Sequence, residues 1–306
     1  HRLAAGRTPF IIAENECQDT SLYYYGIDAV WSDDFHRSAT VALTGRREAY
    51  YSDYRGVARE FVSAAKYGYL YQGQYYTWQK KTRGTPALNL SPHYFIHYLQ
   101  NHDQIANSIR GLRIHQLCEP ALLRAFTVLL LLGPQIPLLF QGQEFCSSSP
   151  FYFFTNKTGV LAERAKQGRR IFLSQFPSIL SSDGPLVPPI DKIETFKKCK
   201  LDFKERQINS AIYSLHKDLL SIRKTSQVYK ESKRKAIDGA LLHENAFAIR
   251  FMGVDVSYDR LLIVNLGSDV ALDPNPEPLT APPQGYKWQE IINSENPKYG
   301  GCGTVP

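Results

Sequence analysis

Short apolar runs alternate with longer amphipathic stretches along the first half of the chain. The run over 10–13, Phe10-Ile11-Ile12-Ala13, ends on Glu14. The run over 94–99 is aromatic and β-branched and closes on Gln100-Asn101, and Leu138-Leu139-Phe140 stops at Gln141-Gly142. Apolar runs of this length, bounded by polar or turn residues, predict strands. Between them, apolar positions recur at helical spacing and predict helices over 33–43, 54–66, 117–132 and 161–176. The most apolar of these ends at Gly133-Pro134, as a buried helix leading into a strand does. Strand–helix alternation of this kind predicts the α/β class. A proline-rich loop over 184–189 follows. Then comes a helix over 207–223, with Ile208, Ala211, Ile212, Leu215, Leu219, Leu220 and Ile222 mostly on one face. From about residue 238 the pattern changes to strand runs over 246–251 and 261–266 and a proline-rich connection over 274–283. The pattern predicts a small antiparallel β-sandwich. The expected division is 1–230 and 231–306.

Composition narrows this picture a little. A chain of 306 residues with 43% hydrophobic content can bury a sizeable core. No run of about 18 apolar residues exists, so no transmembrane helix and no membrane partner is expected. Five cysteines, Cys17, Cys118, Cys146, Cys199 and Cys302, are scattered without a C-x-x-C pair. They suit neither a disulfide framework nor a zinc site and point to a reducing, cytoplasmic setting. The formal charge of +7 is spread out, apart from Lys197-Lys198 and Lys233-Arg234-Lys235, so nucleic acid is not an expected partner. The chain opens on His1 with no visible secretory signal.

The candidate chemistry sits where strand runs end. Asn101-His102-Asp103-Gln104 follows the 94–99 run. A His-Asp pair at the C-terminal end of a strand is where a barrel enzyme holds reactive groups, although a turn with a capping Asp reads the same way. Glu14 ends the 10–13 run and could equally be a surface carboxylate. In Trp31-Ser32-Asp33-Asp34-Phe35-His36, Ser32 or Asp33 can cap a helix, while Trp31, Asp34 and His36 add an aromatic face and polar groups. Pro137-Leu138-Leu139-Phe140-Gln141-Gly142-Gln143-Glu144 completes the set, with the aromatic cluster Phe151-Tyr152-Phe153-Phe154 behind it.

Taken in order, from Ile11-Ile12-Ala13-Glu14 to Tyr299-Gly300-Gly301, these motifs resemble the α-amylase superfamily of glycoside hydrolases, and within it the maltooligosyltrehalose trehalohydrolase family. The resemblance implies the C-terminal half of a (β/α)8 TIM barrel followed by the β-sandwich. It implies Glu14 as general acid/base and Asp103 as the carboxylate stabilising an oxocarbenium-like transition state. It also implies that His102 donates to a sugar hydroxyl, with Asn101 and Gln104 beside the pair, and that the 31–36 loop lies over the site with Trp31, Asp34 and His36 in contact with sugar. The implied reaction is retaining hydrolysis of the α-1,4 bond next to the terminal trehalose of a maltooligosyl trehalose, with a maltooligosaccharide-type substrate and neither cofactor nor metal. Oligomeric state is left open.

The family's nucleophile, an Asp on the strand before the Glu strand, falls ahead of this sequence. Asp28 in Gly26-Ile27-Asp28-Ala29-Val30 lacks the Arg two residues before it and comes after the acid, so it reads as structural. An incomplete barrel with open edges is expected to be unstable or inactive alone. Departures from the family pattern fall at Arg37, Thr40, Arg46, Ala49, Ala106 and Ser108. A glucan branching enzyme shares the Glu and His-Asp motifs, and a catalytically inactive glucan-binding protein would explain the missing nucleophile.

Overall fold

A computed structural model describes residues 9–108, 110–180, 188–230 and 234–304. Its first half contains strands β1 (Ile12–Ala13), β2 (Ala29–Trp31), β3 (Tyr75–Tyr76), β4 (Lys81–Thr82), β5 (Phe95–Tyr98) and β6 (Ile136–Leu138). The order β1-β2-β5-β6 makes one parallel sheet, with Ile12 opposite Ala29, Val30 opposite Phe95 and Ile96 opposite Ile136. β3 and β4 form a separate antiparallel hairpin inside the β2–β5 connection. Because the four strands run the same way, the residues after β1, β2 and β5 emerge on one edge of the sheet. That edge carries Glu14, Ser32-Asp33 and Asn101-His102-Asp103.

Helices make the crossovers that parallel pairing requires. Helix α1 (Asp33–Thr44) stops at Gly45, whose φ of 69° lets its N–H reach the Val41 carbonyl. Helix α2 (Ala58–Tyr67) begins four residues later than its apolar pattern suggests. Gly56 turns the chain there with φ 68°, and a Cβ on it would lie 2.5 Å from the Ala42 nitrogen. Helix α3 (His102–Ala106) is a single short turn, α4 (Pro120–Leu132) opens with proline at its first position, and α5 (Gly159–Leu173) follows the β6 loop. Phe35, Phe61, Phe126, Leu129, Leu131, Leu215 and Leu219 join α1, α2, α4 and the Ser210–Thr225 helix in one core.

Two strand expectations need correction. β2 was not legible as a strand. Three residues are too short a run to stand out, and Trp31 ends a strand instead of lying in a loop above the site. β6 starts at Ile136, and Pro137 is tolerated because β6 is an edge of the described sheet. The expected loop at 184–189 lies largely outside the described residues, as does Lys233.

After residue 236 the chain forms an antiparallel meander of β7 (Ile237–Leu241), β8 (Ala246–Phe251) and β9 (Arg260–Asn265). Among the described residues no second sheet covers it, so the expected sandwich is not what packs its face. Phe247, Ile249 and Phe251 instead join the helical core, with the Phe247 ring stacked 6.2 Å from Phe61 of α2. Phe and β-branched residues on alternating positions suit either arrangement, which is why the pattern alone favoured a familiar two-sheet solution.

Candidate active site

Glu14 and Asp103 come from strands separated by β2, and their side chains converge above its end. The ligating atoms of Glu14, His102 and Asp103 lie within 4.8 Å of one another, and all three residues are exposed. His102 Nε2 is 3.4 Å from Asp103 Oδ1. Trp31 stands beside them, its ring 6.1 Å from His102 and 5.5 Å from Tyr98. Burial raises the Glu14 carboxyl above the ordinary glutamate range. The negative charge of Asp103 adds to this, His102 offsets part of it and Asp33 reinforces it. A carboxyl that holds its proton longer than usual suits a general acid. Two carboxylates and an imidazole could also hold a divalent cation, but acid–base chemistry at these groups needs none.

Local chain chemistry sets the pair in place. Asn101 caps α3, its Oδ1 accepting from the Asp103 and Gln104 amides at 2.9 and 3.4 Å, and Gln104 Oε1 accepts from the Asn101 amide at 3.2 Å. This reciprocal capping box occupies the Asn101 oxygen. Asn101 is buried, and its oxygen holds the turn.

Asp34 and His36, expected to contact sugar, are turned inward. Asp34 is fully buried, and its oxygens accept from Gln18 Nε2 (2.9 Å), the Tyr54 hydroxyl (2.6 Å), the Leu70 and Tyr71 amides (2.7 and 2.9 Å) and Arg83 Nε (3.5 Å). It ties α1 to the chain leading into β3. His36 donates from Nδ1 to the Leu99 carbonyl at 2.8 Å, pairs through Nε2 with the Tyr51 hydroxyl at 3.2 Å, and stacks on Tyr98. Both side chains belong to the first turn of α1, and its inner face claims them for the core.

Burial pushes the His36 imidazole down to about 4 and that of His97, stacked on Phe35, down to about 3. The sign follows directly. The unfolded chain binds these protons near pH 6.5 and the folded chain does not, so stability present at pH 7 is lost as pH falls below that value. Between pH 7 and pH 5 each histidine is expected to cost roughly 2 kcal/mol of stability. Urea titrations at the two pH values check this, and a His36→Gln variant should flatten the dependence. A stability independent of pH over that range contradicts the buried neutral assignment.

Asp33, one of the two candidate caps, is the first helical residue of α1 and makes side-chain contacts instead. Its Oδ1 accepts from the Tyr98 hydroxyl at 2.5 Å and its Oδ2 from Arg37 Nη2 at 2.9 Å, while Arg83 Nη2 lies 3.6 Å away. No side-chain cap bond is made by Ser32, whose hydroxyl donates to the Gly68 carbonyl at 3.0 Å. The i,i+4 spacing of Asp33 and Arg37 was the available signal. Arg83 comes from beyond the β3–β4 hairpin and carried none. Asp28, at the opposite end of β2 from Glu14's edge, accepts from the Ile11 amide at 2.7 Å and so joins the starts of two strands. In the loop after β6, Phe140, Phe151 and Phe154 pack edge to face, leaving Phe153 and Phe154 partly exposed beside α5.

No protein-family profile matches the chain. It is 33% identical over 273 residues to a malto-oligosyltrehalose trehalohydrolase of Deinococcus radiodurans, covering 86% of this chain and 44% of that protein. It is 33% identical over 221 residues to the enzyme of the same name from Saccharolobus solfataricus, covering 70% of this chain and 37% of that one. Among solved structures, a candidate α-amylase of Salmonella typhimurium superposes with a TM-score of 0.71 at 28% identity, over 82% of this chain and 44% of that chain. The chain therefore spans less than half the length of the proteins it matches. Among the described residues, no helix is long and apolar enough to cross a membrane.

Proposed function

We propose that this chain, a homologue of the malto-oligosyltrehalose trehalohydrolases with the fold of an α-amylase relative, forms the acid/base side of a retaining glycoside hydrolase site. The bond cleaved is the α-1,4 linkage next to the terminal trehalose of a maltooligosyl trehalose, and trehalose is released. The observation that carries the reading is the convergence of Glu14, Asp103 and His102 at the C-terminal edge of parallel strands, with the Glu14 proton held above its ordinary range.

On this reading Glu14 protonates the departing glycosidic oxygen and later takes a proton from the attacking water. Asp103 faces the positive charge that develops on the sugar ring, where a fixed carboxylate acts most strongly. His102 donates to a ring hydroxyl, and Trp31 and the partly exposed Phe153 and Phe154 offer apolar faces to sugar rings. Retention also needs a nucleophile about 5–5.5 Å from the acid. Asp28, Asp33 and Asp34 are each committed elsewhere, so the reading places that group on the rest of the parent protein. The same segment would add the four strands that complete a (β/α)8 barrel.

The test is to incubate the parent protein, this chain continued through its upstream reading frame, with maltooligosyl trehalose and quantify the free disaccharide. Trehalose release supports the proposal. New α-1,6 linkages without trehalose would replace it with a branching activity, and glucan binding without any product would replace it with a binding protein.

A further inference from the structure

We propose that Arg169 is a positioning residue that clamps the C-terminal end of α3 and so fixes where Asp103 and His102 stand. The inference rests on the reading that these two side chains meet the sugar. A helix of five residues has little stability of its own, and its last carbonyls lack partners within the helix. The N-terminal end of α3 is closed by the Asn101–Gln104 box. The C-terminal end is closed from a distant element. From α5, the Arg169 guanidinium donates through Nη1 to Asn107 Oδ1 and through Nη2 to the Ala106 carbonyl.

This fork grips the last helical residue and the residue that follows it. Asn107 in turn donates its amide to the Asp103 carbonyl at 2.7 Å, so the clamp acts on the Asp103 backbone at one remove. The Asn107 side chain also meets the Tyr50 hydroxyl. The guanidinium lies 5.4 Å from the Phe153 ring centre, and its Nε is buried without a hydrogen-bond partner. Leaving one donor unsatisfied has a cost, and here the cation is held in place for its other two nitrogens. A positive charge at a helix C-terminus is favourable, and this one also falls within electrostatic reach of Asp103. Lysine cannot reproduce a two-pronged grip, having a single compact ammonium.

Arg169→Gln and Arg169→Lys in the parent protein test the clamp, read by kcat and KM for maltooligosyl trehalose and by amide hydrogen exchange over 102–108. The Gln variant is expected to lose about 10- to 100-fold in kcat, as small misplacements of reacting groups do, with KM changed by no more than about twofold. Exchange should accelerate in the α3 segment and not in α1 or α4. Added guanidinium ion should restore part of the kcat, and Lys should recover only part of it. An unchanged kcat, unchanged exchange at α3, or a loss that follows global melting without guanidinium rescue overturns the proposal. If the unmodified parent releases no trehalose, the functional reading falls. The exchange comparison on the same parent protein and its variants still decides whether Arg169 holds α3.

Discussion

Glu14→Gln is expected to abolish hydrolysis and at the same time to stabilise the fold at neutral pH. Loss of a general acid costs about 10²- to 10⁴-fold in rate, and the amide can neither donate the proton nor recover it from water. The stability effect follows from the direction of the Glu14 shift. Burial and the nearby Asp103 charge raise this carboxyl in the folded chain above its ordinary value of 4.5. The folded state therefore binds the proton more tightly than the unfolded one. Its contribution to stability is full below pH 4.5 and is lost as pH rises through the raised folded value. At pH 7 the ionised Glu14 is a liability that glutamine removes.

Thermal melting of the two proteins should thus differ at pH 7, with the variant higher, and converge near pH 4. Catalysis carries the matching signature. The rate of the parent should fall as pH rises through the Glu14 value, and Asp33→Asn should move that limb to lower pH by removing a charge that raises it. A Glu14→Gln protein that keeps activity within tenfold of the parent removes Glu14 from the acid role. A variant that melts lower at pH 7 contradicts the raised proton affinity.

Asp34→Ala is expected to be the most destabilising single change at this edge of the sheet. Five donors converge on a carboxylate with no exposure. Removing it leaves the Leu70 and Tyr71 amides and the Tyr54 hydroxyl unpaired, leaves Gln18 Nε2 with only the Tyr71 carbonyl, and takes one acceptor from Arg83. Breaking a buried charged network from one side costs about 3–5 kcal/mol, a large share of the 5–15 kcal/mol that holds a typical domain folded. Asp34→Asn should fall between, because one half of the amide then points donors at donors. Urea midpoints give the comparison. If Asp34→Ala stays within about 1 kcal/mol of the parent and loses only glucan affinity, the residue contacts sugar after all.

The two results would separate residues that the sequence presents as one group. Glu14 and Asp34 both sit beside apolar runs, and both are acidic residues in motifs shared with the glycoside hydrolases. One ends a strand and stays exposed at the edge; the other lies in the first turn of a helix whose inner face is core. That difference depends on where β5 and the 70–83 segment pack, which no local pattern encodes.

Features governed by near neighbours were legible in the sequence. Glu14 at a strand end, α1 from its apolar spacing and α4 from its unbroken hydrophobic face all depend on residues within about one turn or one strand of each other. The order of the motifs also carried the resemblance to the malto-oligosyltrehalose trehalohydrolases that the chain matches. What spanned tens of residues was decided only by the fold. β2 exists because Ala29-Val30-Trp31 is gripped between β1 and β5. Asp34 and His36 are buried because the Leu70–Tyr71 backbone and Leu99 close over them. Arg83 reaches Asp33 and Arg169 reaches α3 across distances in sequence that have no periodic signature. The β7–β9 sheet covers helices because Phe61 and Phe126 present a matching apolar face. Short-range pattern sets what each segment can become; burial and pairing are settled only when distant segments meet.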